Sequence, residues 1–154
     1  MLEETLKILV VEARYYSEIS DELLAGAGEA LTALGAEYDV ITVPGAFELP
    51  AAVALADEGA RKPAGIRYDG YVALGCVIRG ETTHYDYVCG ESARGLMDLA
   101  MNRGLPIGYG VLTVEDEDQA WARARRSEGD KGGSAARACI DMIALKRRLF
   151  GQIR

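Results

Sequence analysis

The sequence has no excess of basic residues, no long apolar run, no cysteine pair at metal or redox spacing, and a single histidine. Lysine and arginine number 17 against 24 aspartates and glutamates, for a net charge of −7. Phosphate backbones need a basic footprint, so nucleic acid is excluded as a partner. No basic amphipathic segment suits a membrane surface, and no apolar run is long enough to span a bilayer. A secretory leader would open on basic residues, whereas Met1-Leu2-Glu3-Glu4 is acidic. Cys76, Cys89 and Cys139 are odd in number, which reads as reduced core thiols in a cytoplasmic protein. The acidic balance leaves room for a small anionic metabolite, because one local cationic pocket can coexist with an acidic surface.

What is present is the pattern of an alternating α/β chain. The 154 residues, 49% of them apolar, suit a single domain over residues 1–154. Four short apolar runs, Leu6 to Val11, Tyr38 to Val43, Tyr71 to Ile78 and Pro106 to Thr113, are rich in Val and Ile and show little alternation. Parallel strands covered on both faces look like this. Between the first two, Ile19, Leu23, Leu24, Ala27, Leu31 and Leu34 form one helical stripe, with Gly35 as its C-terminal cap. Glu48 to Glu58 and Asp86 to Asn102 read as two further helices. Thr113 with Asp116 resembles a capping box opening a fourth, Glu115 to about Arg126. Gly129 to Gly133 breaks the chain before a last helix, from about Ser134 to Phe150, with Ala136, Cys139, Ile140, Ile143 and Ala144 on one stripe. Ala60 to Arg67 reads as a surface loop. The expected architecture is a three-layer α/β/α sandwich, flavodoxin-like, with a four-stranded parallel sheet in the order 2-1-3-4.

Ligands of such sheets bind beyond the carboxyl ends of the strands, so four segments are candidates: Glu12 to Tyr16, Pro44 to Pro50, Arg79 to His84, and the residues after Thr113. In the third, Gly80, Glu81 and Thr82 precede a helix whose free N–H groups can hold an anion, and His84 can move protons near neutral pH. The bland alternative makes Thr82 or Thr83 a simple N-cap and His84 a solvated first-turn residue. The spacing fits neither a Walker motif nor a dinucleotide fingerprint. In the second, two prolines and a glycine stiffen a loop whose Phe47 can line an aromatic pocket and whose Glu48 can accept from ligand hydroxyls. Equally, Phe47 can belong to the core and Glu48 can complement a helix dipole. Tyr15 and Tyr16 can stack on a heterocycle or merely cover the sheet edge. Tyr109 reads as core or interface. Arg123, Arg125 and Arg126 read as a solvated helix face, and Lys131 as a turn residue.

Val43-Pro44-Gly45-Ala46-Phe47-Glu48-Leu49-Pro50, the Gly75 to His84 segment, Gly110-Val111-Leu112-Thr113 with Gln119-Ala120, and Asp130-Lys131-Gly132 together resemble the 6,7-dimethyl-8-ribityllumazine synthase family over nearly the whole chain. That resemblance implies condensation of 5-amino-6-(D-ribitylamino)uracil with 3,4-dihydroxy-2-butanone 4-phosphate, releasing phosphate and water in riboflavin biosynthesis. It implies no metal and no organic cofactor. Tyr15 matches the ring that stacks on the pyrimidine, although the family more often carries phenylalanine followed by asparagine where this chain has Tyr15-Tyr16. Ala46, Phe47 and Glu48 match the segment holding ring and ribityl chain, and Ile78 a pyrimidine-side position. Gly80, Glu81 and Thr82 match the phosphate loop, and His84 the proton-transfer residue. Tyr109 matches a residue, commonly phenylalanine, that reaches the adjacent subunit's site. Arg123 matches the arginine that pairs with substrate phosphate, with Lys131 a second cation nearby.

The resemblance further implies a homopentamer with sites between subunits, and riboflavin synthase as a candidate partner. Some relatives close into shells of twelve pentamers. Shell-formers carry a glycine-threonine-lysine turn where this chain has Arg126-Ser127-Glu128-Gly129-Asp130, and the N-terminus also matters, so an isolated pentamer is expected. The rival reading is a non-catalytic paralogue that binds lumazine or flavin in the same pocket. A receiver domain fits poorly, because Lys7 to Glu12 supplies only one acid where a cluster is needed.

Overall fold

The computed structural model describes residues 4–152. Met1 to Glu3, on which the leader reading rests, lie outside the described residues. Strands β1 (Lys7–Ala13), β2 (Glu37–Val43), β3 (Gly70–Ile78) and β4 (Ile107–Val114) form one parallel sheet in the order β2-β1-β3-β4. The helices are α1 (Ser17–Ala33), α2 (Leu49–Gly59), α3 (His84–Arg103), α4 (Glu117–Ala124) and α5 (Lys131–Leu149), and a short 3-10 turn, Ala46–Glu48, leads into α2. This is the flavodoxin-like arrangement that the sequence pattern predicts.

Strand side chains alternate between faces, and the core divides accordingly. Ile8, Val10, Val72, Leu74 and Leu112 pack beneath α1, α4 and α5, whereas Leu9, Val11, Tyr71, Ala73 and Val111 pack beneath α2 and α3. Close approach depends on two glycines. A Cβ on Gly132 would lie 2.0 Å from the Leu23 carbonyl oxygen, and one on Gly108 would lie 1.9 Å from that of Ala135. These glycines let α5 seat directly on α1 and β4.

Several expectations need correction. β1 runs on through Glu12 and Ala13, so Glu12 is a buried strand residue and not part of a loop. β2 is an edge strand with Tyr38, Val40 and Ile41 over a third exposed, so the expected covering on both faces fails there. Leu34 and Ala144, placed on apolar stripes, are exposed. Thr113 stays within β4. The cap of α4 is instead reciprocal between Asp116, which accepts from Gln119 N at 2.8 Å, and Gln119 Oε1, which accepts from Glu115 N at 2.9 Å. α4 is accordingly shorter than expected. α5 starts three residues early because Asp130, in the left-handed region at φ 44°, accepts from Gly133 N at 3.3 Å and caps it. α3 likewise starts at His84, two residues before the expected start.

Candidate active site

The carboxyl ends of β1, β2 and β3 stand side by side, with Ala13 opposite Val43 and Glu12 opposite Leu74. The segments leaving these ends enclose a cleft of about 570 Å³, the size of a small-molecule site. Tyr15 and Tyr16 form one wall, their rings edge to face with centroids 4.9 Å apart. Tyr16 also packs on the α1-side core, and burial pushes its phenol up from the ordinary tyrosine value.

The second wall is the turn after β2. Pro44 and Gly45 end the strand, Glu48 N donates to the Gly45 carbonyl at 3.1 Å, and Pro50 in the first turn of α2 fixes the exit. Ala46 anchors this turn in the core, while Phe47 is 56% exposed and lines the cleft. Glu48 Oε2 folds back over Gly45, 3.2 Å from where a Cβ would stand. Fully buried Leu49 holds the turn from below.

The floor is the end of β3. Cys76 and Ile78 face the α1 side and Val77 the α2 side, so all three meet the cleft where the sheet stops. Burial pushes the Cys76 thiol up to about 12, which keeps it protonated and unsuited to nucleophilic attack near neutral pH. Gly80 to Thr83 then make an exposed turn into α3, where His84 is the first helical residue. Thr82 Oγ1 accepts from His84 N at 3.3 Å, whereas Thr83, the N-cap, makes no side-chain cap bond. His84 lies on the rim with Gly80 and Thr82 at the positive end of a 20-residue helix. Tyr85 completes the rim, its ring 4.3 Å from the Arg79 guanidinium, which Glu115 holds at 2.7 Å.

Residues 5–147 match the family described as 6,7-dimethyl-8-ribityllumazine synthase. The chain belongs to this family. Among its relatives, 6,7-dimethyl-8-ribityllumazine synthase 1 of Rhizobium meliloti (strain 1021) is 62% identical over 142 residues, 92% of each chain. The synthase of Agrobacterium fabrum (strain C58) is 61% identical over 144 residues, covering 94% of this chain and 97% of the relative. That of Bartonella bacilliformis is 58% identical over 147 residues, covering 96% and 93% respectively.

Of the positions carried over from this lumazine synthase family, Tyr15, Ala46, Phe47, Glu48, Ile78, Gly80, Thr82 and His84 line one cleft. Glu81 lies exposed in the same turn without lining it. Tyr109, Arg123 and Lys131 do not line the cleft of their own chain. Tyr109 is half-buried in β4 on the α3 side, where burial raises its phenol pKa. Arg123 is exposed on α4 and donates to the Gln119 carbonyl at 3.0 Å. Lys131 is the half-buried first residue of α5. The reading of the sequence missed Cys76, Val77, Tyr85 and Val88 as lining residues. Strand alternation around Ile78 signals the first two, and the i, i+4 spacing of His84 and Val88 signals the last. Among the described residues no group of three His, Cys, Asp or Glu side chains gathers to hold a metal ion.

Proposed function

We infer that the chain condenses 5-amino-6-(D-ribitylamino)uracil with 3,4-dihydroxy-2-butanone 4-phosphate to 6,7-dimethyl-8-ribityllumazine, a transferase step of riboflavin biosynthesis. Family membership carries this reading. The observation that best supports placing the reaction in the cleft is the meeting of an aromatic wall, a carboxylate and a glycine-threonine-histidine helix start in one cavity.

The ring of the pyrimidine lies against Tyr15 and the Ala46–Phe47 turn, with Ile78 beneath it, and Glu48 accepts from ribityl hydroxyls. The second substrate's phosphate sits on Gly80, Glu81 and Thr82 at the start of α3, where exposed N–H groups and the helix dipole favour an anion. The amine adds to the ketone and water leaves to give an imine. Phosphate then departs by elimination, and ring closure releases a second water. Both reactants are intrinsically reactive, so holding them in register supplies much of the acceleration. His84 relays protons during imine formation and elimination. A cationic side chain stabilises the phosphate as it leaves.

That cation comes from a neighbour. Arg123, with Lys131 nearby, and the ring of Tyr109 serve the adjacent subunit's cleft in a homopentamer, and their positions away from their own chain's cleft support this. An isolated pentamer is proposed over a closed shell, because the α4–α5 connection reads Arg126-Ser127-Glu128-Gly129-Asp130 where shell-formers carry a glycine-threonine-lysine turn. Three free cysteines suit a reducing cytoplasm. One sheet carrying both core layers supports a single domain over residues 1–154. Riboflavin synthase, which would consume the product, is the proposed protein partner.

Purified protein mixed with both substrates should form fluorescent lumazine with one phosphate released per product. Tight lumazine or flavin binding without product would favour the non-catalytic paralogue. Light scattering reads the assembly directly. Mixed rings of His84→Ala and Arg123→Ala subunits should be more active than rings of either variant alone, and no gain would place both residues in one subunit's site.

A further inference from the structure

Among the described residues one charged side chain, Glu12, is buried, with 4% of its surface exposed. A carboxylate taken out of water is costly unless partners compensate it. Thr42 Oγ1 donates to Glu12 Oε2 at 3.1 Å, and Arg14 Nε lies 3.3 Å from Glu12 Oε1. That last contact is an ion pair without hydrogen-bond alignment, since neither buried atom finds a hydrogen-bond partner. Arg14 reaches onward to α1, donating to the Ser17 carbonyl at 3.3 Å and pairing with Asp21. Sheet and helix are thus tied through one guanidinium. An apolar pair of similar volume would serve stability as well or better, so the network calls for a geometric role.

That role lies in the next two residues. Tyr15 and Tyr16 follow Arg14 directly and form a wall of the cleft. Tyr15 is 76% exposed, so burial does not hold its ring, and Tyr16, the N-cap of α1, makes no side-chain cap bond and is held only on the side that packs against the core. We propose that Glu12 and Arg14 are positioning residues whose ion pair, buried at Glu12, half-buried at Arg14 and tied to Thr42 and Asp21, fixes the Tyr15–Tyr16 wall and thereby sets affinity for the ring-bearing substrate. The inference rests on the synthase reading above. It concerns one substrate only, because the phosphate end of the cleft is built by the β3–α3 turn.

Isosteric Glu12→Gln in the full chain tests it, with Asp21→Asn at the exposed end of the network as a second variant that does not endanger folding. KM for the ribitylamino-uracil should rise roughly tenfold in Glu12→Gln and about twofold to threefold in Asp21→Asn, within the range that stacking on one ring commands. KM for the butanone phosphate and kcat should stay within about twofold. Near-UV circular dichroism from the coupled tyrosines should weaken in parallel, and Arg14→Lys should recover part of what Arg14→Ala loses. A lowered Tm with both KM values unchanged, or both KM values rising together, would overturn the proposal. If Glu12→Gln does not fold, Asp21→Asn decides alone. Ribityllumazine affinity, followed by its fluorescence, reads the wall without turnover. A wild type that binds but does not convert therefore sinks the functional reading and leaves this one standing or falling on affinity.

Discussion

Arg123→Ala removes a guanidinium that the subunit's own stability scarcely uses. The side chain is exposed on α4, its one hydrogen bond runs from Nη1 to the Gln119 carbonyl at 3.0 Å, and it takes part in no ion pair among the described residues. Truncating such a residue changes stability by about 0.5 kcal/mol or less, which in a chain of this size moves Tm by roughly 2 °C at most. Its assigned work is different. A charged hydrogen-bonded pair with phosphate is worth about 1.5–3 kcal/mol, which corresponds to a roughly 10- to 150-fold loss in kcat/KM for the butanone phosphate. Part of that loss should fall on kcat, because the interaction strengthens as phosphate departs. KM for the ribitylamino-uracil should not move. Steady-state lumazine formation with each substrate varied in turn, beside thermal melts, separates these quantities. Unchanged parameters for the butanone phosphate would refute the assignment, and a Tm drop of many degrees would show that Arg123 is structural.

His84→Ala should slow turnover by about 10²- to 10⁴-fold without abolishing it, the range of one general acid–base group. Single-turnover rates measure it, and a loss below twofold would leave His84 a helix-start residue only. Gly132→Ala should lower Tm despite alanine's better helix propensity, because the added Cβ meets the Leu23 carbonyl oxygen at 2.0 Å. Overpacking of about 1–3 kcal/mol outweighs the roughly 1 kcal/mol of propensity gained, and an unchanged or raised melt would contradict the close α1–α5 seating. Stability should also fall at alkaline pH. Burial pushes the Cys76 and Cys139 thiols and the Tyr68 and Tyr71 phenols up to about 12, so the folded state holds these protons more tightly than the unfolded chain. Their contribution is complete below about pH 9 and is lost as pH climbs towards about 12. Melts that stay constant to about pH 11 would contradict it, and Cys139→Ala should show a shallower decline.

The sheet was legible because runs such as Val10-Val11 and Val72 to Val77 cannot be solvated, and right-handed crossovers leave few orders to choose from. Edge position was not: Tyr38 to Val43, despite Asp39 and Thr42, is rich in Val and Ile like the central runs, and hydrophobicity does not say which side of a strand lacks a neighbour. Element ends slipped where side chains compete for backbone. Asp116 outcompeted Thr113 as the α4 cap, and Asp130 adopted a left-handed cap that ordinary propensity disfavours. Glu12 looked like a loop residue because a carboxylate interrupts an apolar run, and only its partners at Thr42 and Arg14 explain its burial. At the site, residues clustered in short motifs were easy to gather, as with Gly80, Thr82 and His84. Cys76 and Tyr85 carry no motif of their own and reach the cleft through strand alternation and the first turn of α3. For Arg123 a single chain offers only an exposed helix face.

The location of the bound product tests the central claim most directly. A crystal structure of the protein with ribityllumazine and inorganic phosphate should show the ring against Tyr15 and the Ala46–Phe47 turn, ribityl hydroxyls on Glu48, phosphate on the Gly80–Thr82 turn, and His84 between them. Product bound elsewhere, such as in the shallow groove between α1 and β2 lined by Leu24, Gly28 and Tyr38, would contradict it.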